Sequence, residues 1–206
     1  MALKNYEDLD AMQLDVLKEI GNIGSGNATT ALSQMLNTLV DIEVPIVEIL
    51  DFQQAIDAAG GPEKIIAGIL VGIKGDVDGM IMFLFEKELV SVITSTFFGH
   101  EVNNLIDIDE GERSALHEIG NIMASSYVNA ISQLANMFIE VDVPYMAVDM
   151  LGAIMSAPAS QMGQMGDKLL YIDNNIVLGN VNVRSKMLLL PTINSLGNLL
   201  GKLGVM

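Results

Sequence analysis

Leu17-Lys18-Glu19-Ile20-Gly21-Asn22-Ile23 returns ninety-nine residues later as Leu116-His117-Glu118-Ile119-Gly120-Asn121-Ile122. The register holds well beyond this motif. Ala31, Ser33, Gln34 and Asn37 reappear as Ala130, Ser132, Gln133 and Asn136, and Asp41-Ile42-Glu43-Val44-Pro45 returns conservatively as Glu140-Val141-Asp142-Val143-Pro144. A match that keeps step for so long reads as an internal duplication. The chain divides into tandem halves of about residues 1–100 and 101–206, with no Pro/Ser-rich or charged linker between them. One pseudo-symmetric domain over residues 1–206 is therefore expected.

Each half opens with a helical pattern. Leu14, Leu17, Ile20 and Ile23 form one stripe and Asp15, Lys18, Glu19 and Asn22 the opposite one. In the second copy Leu116, Ile119 and Ile122 are expected inside, and Ser114, Glu118, Asn121 and Ser125 outside, after an N-cap at Asp107 or Asp109. A short alternating strand ending in Val-Pro follows. Next, Ile65–Ile73 and Val77–Phe85 read as a hairpin across Lys74-Gly75-Asp76, and Glu86–Phe98 as a helix. The second half repeats this more loosely, with strands in Leu169–Ile172 and Ile176–Leu190 and a closing helix over Thr192–Leu203. Helix, strand, hairpin, helix, done twice, predicts an α+β fold: an antiparallel sheet with helices packed on it, or, as second choice, a mixed sheet.

Composition removes several classes of function. Half of the residues are hydrophobic and mean hydropathy is +0.43, yet no apolar run reaches the ~18 residues of a spanning helix. The first residues, Met1 to Asp8, carry neither the basic nor the apolar part of a secretory signal, so a cytoplasmic location is expected. Without cysteine there is no thiolate nucleophile and no zinc-thiolate site, and only two histidines remain for acid-base work. Ten Lys and Arg against 26 Asp and Glu give a formal charge of −16, which repels nucleic acid and anionic lipid.

Glu19 and Asn22 stand three apart, hence adjacent on one helix face, and Glu118 and Asn121 repeat the pair. A lone Glu-x-x-Asn reads as solvated helix surface. Here, however, Gly-Asn sits inside both helical patterns, although Gly costs roughly 1 kcal/mol relative to Ala. A glycine beside the asparagine leaves room for another backbone or a ligand to come close. Gly24 and Gly26 have Met123 and Ser125 as counterparts, so they read as helix packing or a local break; chemistry common to both halves belongs to the Glu–Asn pair. Such a pair suits hydrolysis of a phosphoryl group held by another protein. The transition state is loose, so positioning dominates: an amide can orient the attacking water, and a carboxylate can anchor a cation of the partner.

Glu19-Ile-Gly-Asn-Ile-Gly-Ser-Gly-Asn-Ala-Thr-Thr-Ala-Leu and Glu118-Ile-Gly-Asn-Ile-Met-Ala-Ser-Ser-Tyr-Val-Asn-Ala-Ile resemble the two signatures of the CheC branch of the CheC/CheX/FliY phosphatases. The resemblance extends over essentially the whole chain. It implies two sites acting on phosphorylated CheY, with Glu19, Asn22, Glu118 and Asn121 as the acting residues. No cofactor of its own is implied, and Mg²⁺ is expected on the regulator. CheX relatives are single-domain and dimer-forming. FliY relatives carry an N-terminal regulator-binding peptide and a C-terminal switch domain, neither of which this sequence shows, so CheC is the nearest branch. Departures are Ser25, where relatives often have Ala, and the glycine-poor second motif. The resemblance also implies CheD, the receptor deamidase, as a partner, docked by Val148–Met155 with Asp149 as polar contact and Met150 and Ile154 beside it. Residues 145–165 hold five methionines, Met146, Met150, Met155, Met162 and Met165, and sequence leaves open whether they form an adaptable surface or fill core beneath a loop. Other readings are a non-catalytic partner of CheD and a flagellar-switch component. His117 reads as solvated surface, His100 as an exposed or capping residue, and Pro45 and Pro144 as bends or ends of edge strands.

Overall fold

The computed structural model describes residues 3, 5–162, 168–178 and 181–206, without the side chains of Glu7 and Met162. Two helices of 26 residues, α1 (Ala11–Leu36) and α4 (Glu110–Ala135), begin on reciprocal caps. Asp10 accepts from the Gln13 amide and Gln13 from the Asp10 amide; Asp109 and Glu112 do the same. Both helices end on an asparagine in the left-handed region, Asn37 at φ 47° and Asn136 at φ 50°, where Asn pays less strain than most side chains. Gly24 and Gly26 cause no break.

The remaining elements are β1 (Val40–Ile42), β2 (Ile46–Asp51), α2 (Phe52–Ala58), β3 (Ile65–Gly75), β4 (Gly79–Phe85) and α3 (Lys87–Phe98) before α4. After it come β5 (Ile139–Val141), β6 (Tyr145–Met150), α5 (Leu151–Met162), β7 (Lys168–Leu178), β8 (Val181–Pro191) and α6 (Ile193–Lys202). The apolar run Ile176–Leu190, read as one strand, is divided between β7 and β8, and α2 and α5 were not foreseen.

All strand pairs are antiparallel, in the order β1-β7-β8-β4-β3-β5, with β2 continuing β1 along β7 and β6 continuing β5 along β3. Pro45 and Pro144 stand at the two bends between these short edge strands, as their lack of an N–H donor requires. The edge strands of each half therefore pair with the hairpin of the other half. Strand side chains alternate between faces. Ala67, Ile69, Val71 and Ile73 of β3 join α1, α3, α4 and α6 in a large core on one face. Ile66, Met80, Met82, Leu84 and Leu188 meet α2 and α5 on the other.

Candidate functional site

Gly21 and Gly120 face the sheet. A Cβ on Gly21 would stand 2.8 Å from Val47 Cγ2, and one on Gly120 2.6 Å from Ile69 Cγ2. The glycines thus seat both helices on the one sheet, Gly21 over β2 and β7 and Gly120 over β3, instead of clearing space for an incoming partner, which corrects the sequence expectation. Successive residues on a helix turn by about 100°. With Gly21 and Gly120 inward, Asn22 and Asn121 come to the flank and are half-buried, whereas Glu19 and Glu118 are exposed. Ile23, Ile122 and Leu14, expected inside, are also only half-buried.

The structure therefore keeps each Glu–Asn pair together on the outer side of its helix. The Asn22 side-chain oxygen is enclosed and takes no hydrogen bond among the described residues. Asp15 and Lys18 form a loose pair at 3.4 Å with both side chains more than half exposed, an arrangement that contributes little. The chemistry available is that of an amide held beside a free carboxylate.

What fixes α1 against α4 is a contact that sequence reading missed. The ring of Tyr127 lies flush on Gly24, so that a Cβ there would be 2.1 Å from Tyr127 Cε2. Burial pushes the Tyr127 phenol well above its ordinary pKa, and its hydroxyl has no partner among the described residues. Gly24 was legible as a packing glycine; its partner was not, because nothing in the sequence points from one to the other.

His117 is half-buried and its Nε2 lies 2.8 Å from the Pro144 carbonyl, which corrects its reading as solvated surface. Together with Arg113, Ser114, Tyr145 and Met146 it lines a groove of about 390 Å³ between α4 and β6. His100 is mostly exposed, 3.8 Å from Glu112.

Val148–Met155 is the end of β6 and the first turn of α5. Met146 and Val148 pack on the large core, so alternation turns Asp149 to the opposite face. Asp149 is exposed and its carboxylate accepts from the Met150 amide at 2.7 Å. Met150 is 46% exposed, whereas Ile154 and Met155 are buried at 7% and 2%. The methionines are thus divided between surface and core; Met165 and the Met162 side chain lie outside the described residues. Ile154 cannot present its side chain fully, but with Asp149, Gly68, Gly72, Met80 and Met82 it lines a groove of about 500 Å³. The groove is on the face opposite α1 and α4. Among the described residues no helix is long and apolar enough to cross a membrane.

A sequence model of the CheC-like family matches residues 12–49 and 112–145, the two segments that contain the repeated motif. "CheY-P phosphatase CheC" of Bacillus subtilis (strain 168) is 32% identical over 203 residues, 97% of each chain. "Flagellar motor switch phosphatase FliY" of the same organism is 29% identical over 143 residues, 69% of this chain and 37% of that protein. The crystal structure of Thermotoga maritima FliY superposes with a TM-score of 0.76 at 20% identity, covering 96% of this chain and 98% of that one, which establishes the shared fold. With identity above 30% maintained over nearly the full length of a CheC, this chain belongs to the CheC-like family.

Proposed function

We propose that this chain is a phosphatase of phosphorylated CheY and that each of its two long helices carries one site. The observation that supports it most is the repeated presentation of Glu19–Asn22 and Glu118–Asn121 on the outer flanks of helices anchored to the sheet through Gly21 and Gly120. The names of the CheC and FliY relatives agree with this reading. In the reaction, water attacks phosphorus, the bond from phosphorus to the regulator's aspartate oxygen breaks, and inorganic phosphate and a free carboxylate result. Asn22 or Asn121 orients the water through its amide. Glu19 or Glu118 binds a cationic side chain of the regulator and sets the docking register. Mg²⁺ belongs to the regulator, where it neutralises phosphoryl charge.

The test is single-turnover release of phosphate from phosphorylated CheY at several concentrations. Asn22→Ala and Asn121→Ala should each slow their own site by about tenfold to a thousandfold, the scale of losing one transition-state contact, and only the double variant should be inactive. Glu19→Ala and Glu118→Ala should chiefly weaken docking. A folded double asparagine variant that still dephosphorylates CheY at the wild-type rate would replace this reading with a binding-only or switch role.

CheD is the second partner we infer, docked at the α5 groove with Asp149 at its rim. Support comes from the exposed carboxylate beside an apolar floor of Met80 and Met82, on the face away from α1 and α4. Both partners could then be held at once.

A further inference from the structure

The two halves do not build the surroundings of their Glu–Asn pairs in the same way. In the first half, the residue before the glutamate is Lys18, a side chain 54% exposed whose ammonium turns to Asp15 of its own helix. In the second half the same place is taken by His117, whose Nε2 reaches across to the Pro144 carbonyl at 2.8 Å. Pro144 is buried, whereas its counterpart Pro45 is only half-buried. On either side of the held proline, Val143 and Tyr145 are 80% and 81% exposed; Val44 and Ile46 around Pro45 are exposed as well, at 83% and 61%, so what distinguishes the second half is the tie from the helix to the turn. A turn that presents two large apolar side chains to water while its centre is tied down is a preorganised contact surface. It borders the groove that Arg113, Ser114 and His117 line from the α4 side, one turn of helix from Glu118 and Asn121.

Resting on the phosphatase reading above, we propose that His117 is a positioning residue of the α4 site. By donating from Nε2 to the Pro144 carbonyl it holds the Val143–Tyr145 turn against α4, so that Val143 and Tyr145 form an apolar contact for the phosphorylated regulator beside Glu118. The hydrogen bond acts before the chemical step. Its loss leaves the turn to be ordered at the moment of docking and is felt in binding, not in turnover.

The α4 site is isolated with Asn22→Ala, and phosphate release from phosphorylated CheY is followed as a function of regulator concentration. His117→Ala in that background should raise KM about three- to tenfold, the value of one hydrogen bond, with kcat changed less than twofold. His117→Gln, which can also donate to the carbonyl, should restore most of the affinity, and Tyr145→Ala should raise KM without a fall in kcat. Circular dichroism and urea midpoints accompany each variant. An unchanged KM in His117→Ala, a fall confined to kcat, or a folded His117→Gln as impaired as His117→Ala would each overturn the proposal. Full activity in the Asn22→Ala/Asn121→Ala double variant would instead remove the reading on which it rests.

Discussion

Gly24→Ala and Gly26→Ala make the same chemical change two residues apart on one helix, and the structure assigns them opposite signs. On Gly24 the new methyl would meet Tyr127 Cε2, Cδ2 and Cζ at 2.1, 2.4 and 2.6 Å, over 1 Å inside an ordinary contact. Tyr127 is fully buried at 0% exposure and wedged between two helices, so the ring cannot turn away and α1 must lift from α4. Overpacking of this kind costs about 1–3 kcal/mol, and an immobile aromatic puts it at the upper end. On Gly26 the methyl would find nothing within 4 Å. Both substitutions gain about 1 kcal/mol of helix propensity, which cancels in the comparison. Gly26→Ala should therefore be stabilised by about 1 kcal/mol, Gly24→Ala destabilised by about 2, and the two should differ by about 3 kcal/mol. With a urea slope of about 3 kcal/mol/M the unfolding midpoints should lie roughly 1 M apart. Coincident midpoints would mean that the Gly24–Tyr127 contact does not set the spacing of the helices.

Tyr127→Phe removes a buried hydroxyl that has no partner among the described residues, so it should be neutral or stabilising by up to about 1 kcal/mol, unlike most core substitutions; differential scanning calorimetry would register it. Burial alone would raise the Glu86 carboxyl, but hydrogen bonds from Lys186 and Lys64 bring it below the ordinary value of 4.5. Its stabilisation is thus fully present above pH 4.5 and is lost as pH falls through the lower folded-state value. Glu86→Gln should cost about 3–5 kcal/mol at pH 7 by stranding the buried Lys186 and should flatten the decline of urea midpoints toward pH 3; an unchanged acid limb would exclude this pair as its source. Asp149→Lys, an exposed change, should leave thermal stability within about 0.5 kcal/mol and weaken CheD at least about tenfold by calorimetric titration. Undiminished affinity would place that interface elsewhere.

The strongly periodic parts of the fold were legible. Leu17, Ile20, Leu116 and Ile119 are all buried where the stripes put them, and the Asp109 cap and the hairpin about Gly75–Asp76 were visible as local chemistry. What escaped was short or compositionally ambiguous. Phe52–Ala58 is seven residues, too few to show a period. Leu151–Met162 contains Gly152 and Pro158 among small residues and methionines, which reads as loop until the sheet beneath is known. The glycines of the Glu-x-Gly-Asn motif were rightly singled out as unusual in a helix. Their direction was not legible, because a residue beside an asparagine can face the core while the asparagine faces the flank. His117 was missed because its acceptor is a backbone carbonyl 27 residues away, to which no side-chain pattern points.

The sheet's second face separates what the first face repeats. Tyr145 pairs with Leu70 and its counterpart Ile46 with Asp173, so Leu70 and Asp173 occupy equivalent positions in the two halves. By the same registers Gly68 corresponds to Tyr171, and Met82, which pairs with Leu70, to Lys186, which pairs with Asp173. Beneath α5 the small and apolar members of these sets, Gly68, Leu70 and Met82, leave the groove of about 500 Å³. At the equivalent ground beneath α2 the Tyr171 ring is buried and Lys186 is paired with Glu86, which also holds Lys64 at 2.8 Å. A methionine floor can accept a partner's apolar side chain, whereas a buried ion pair would have to be dismantled to admit one. The Glu–Asn motif, set by the long helices, is thus presented twice, but a partner seeking an apolar groove on the second face finds it at the α5 end, where Asp149 stands at the rim.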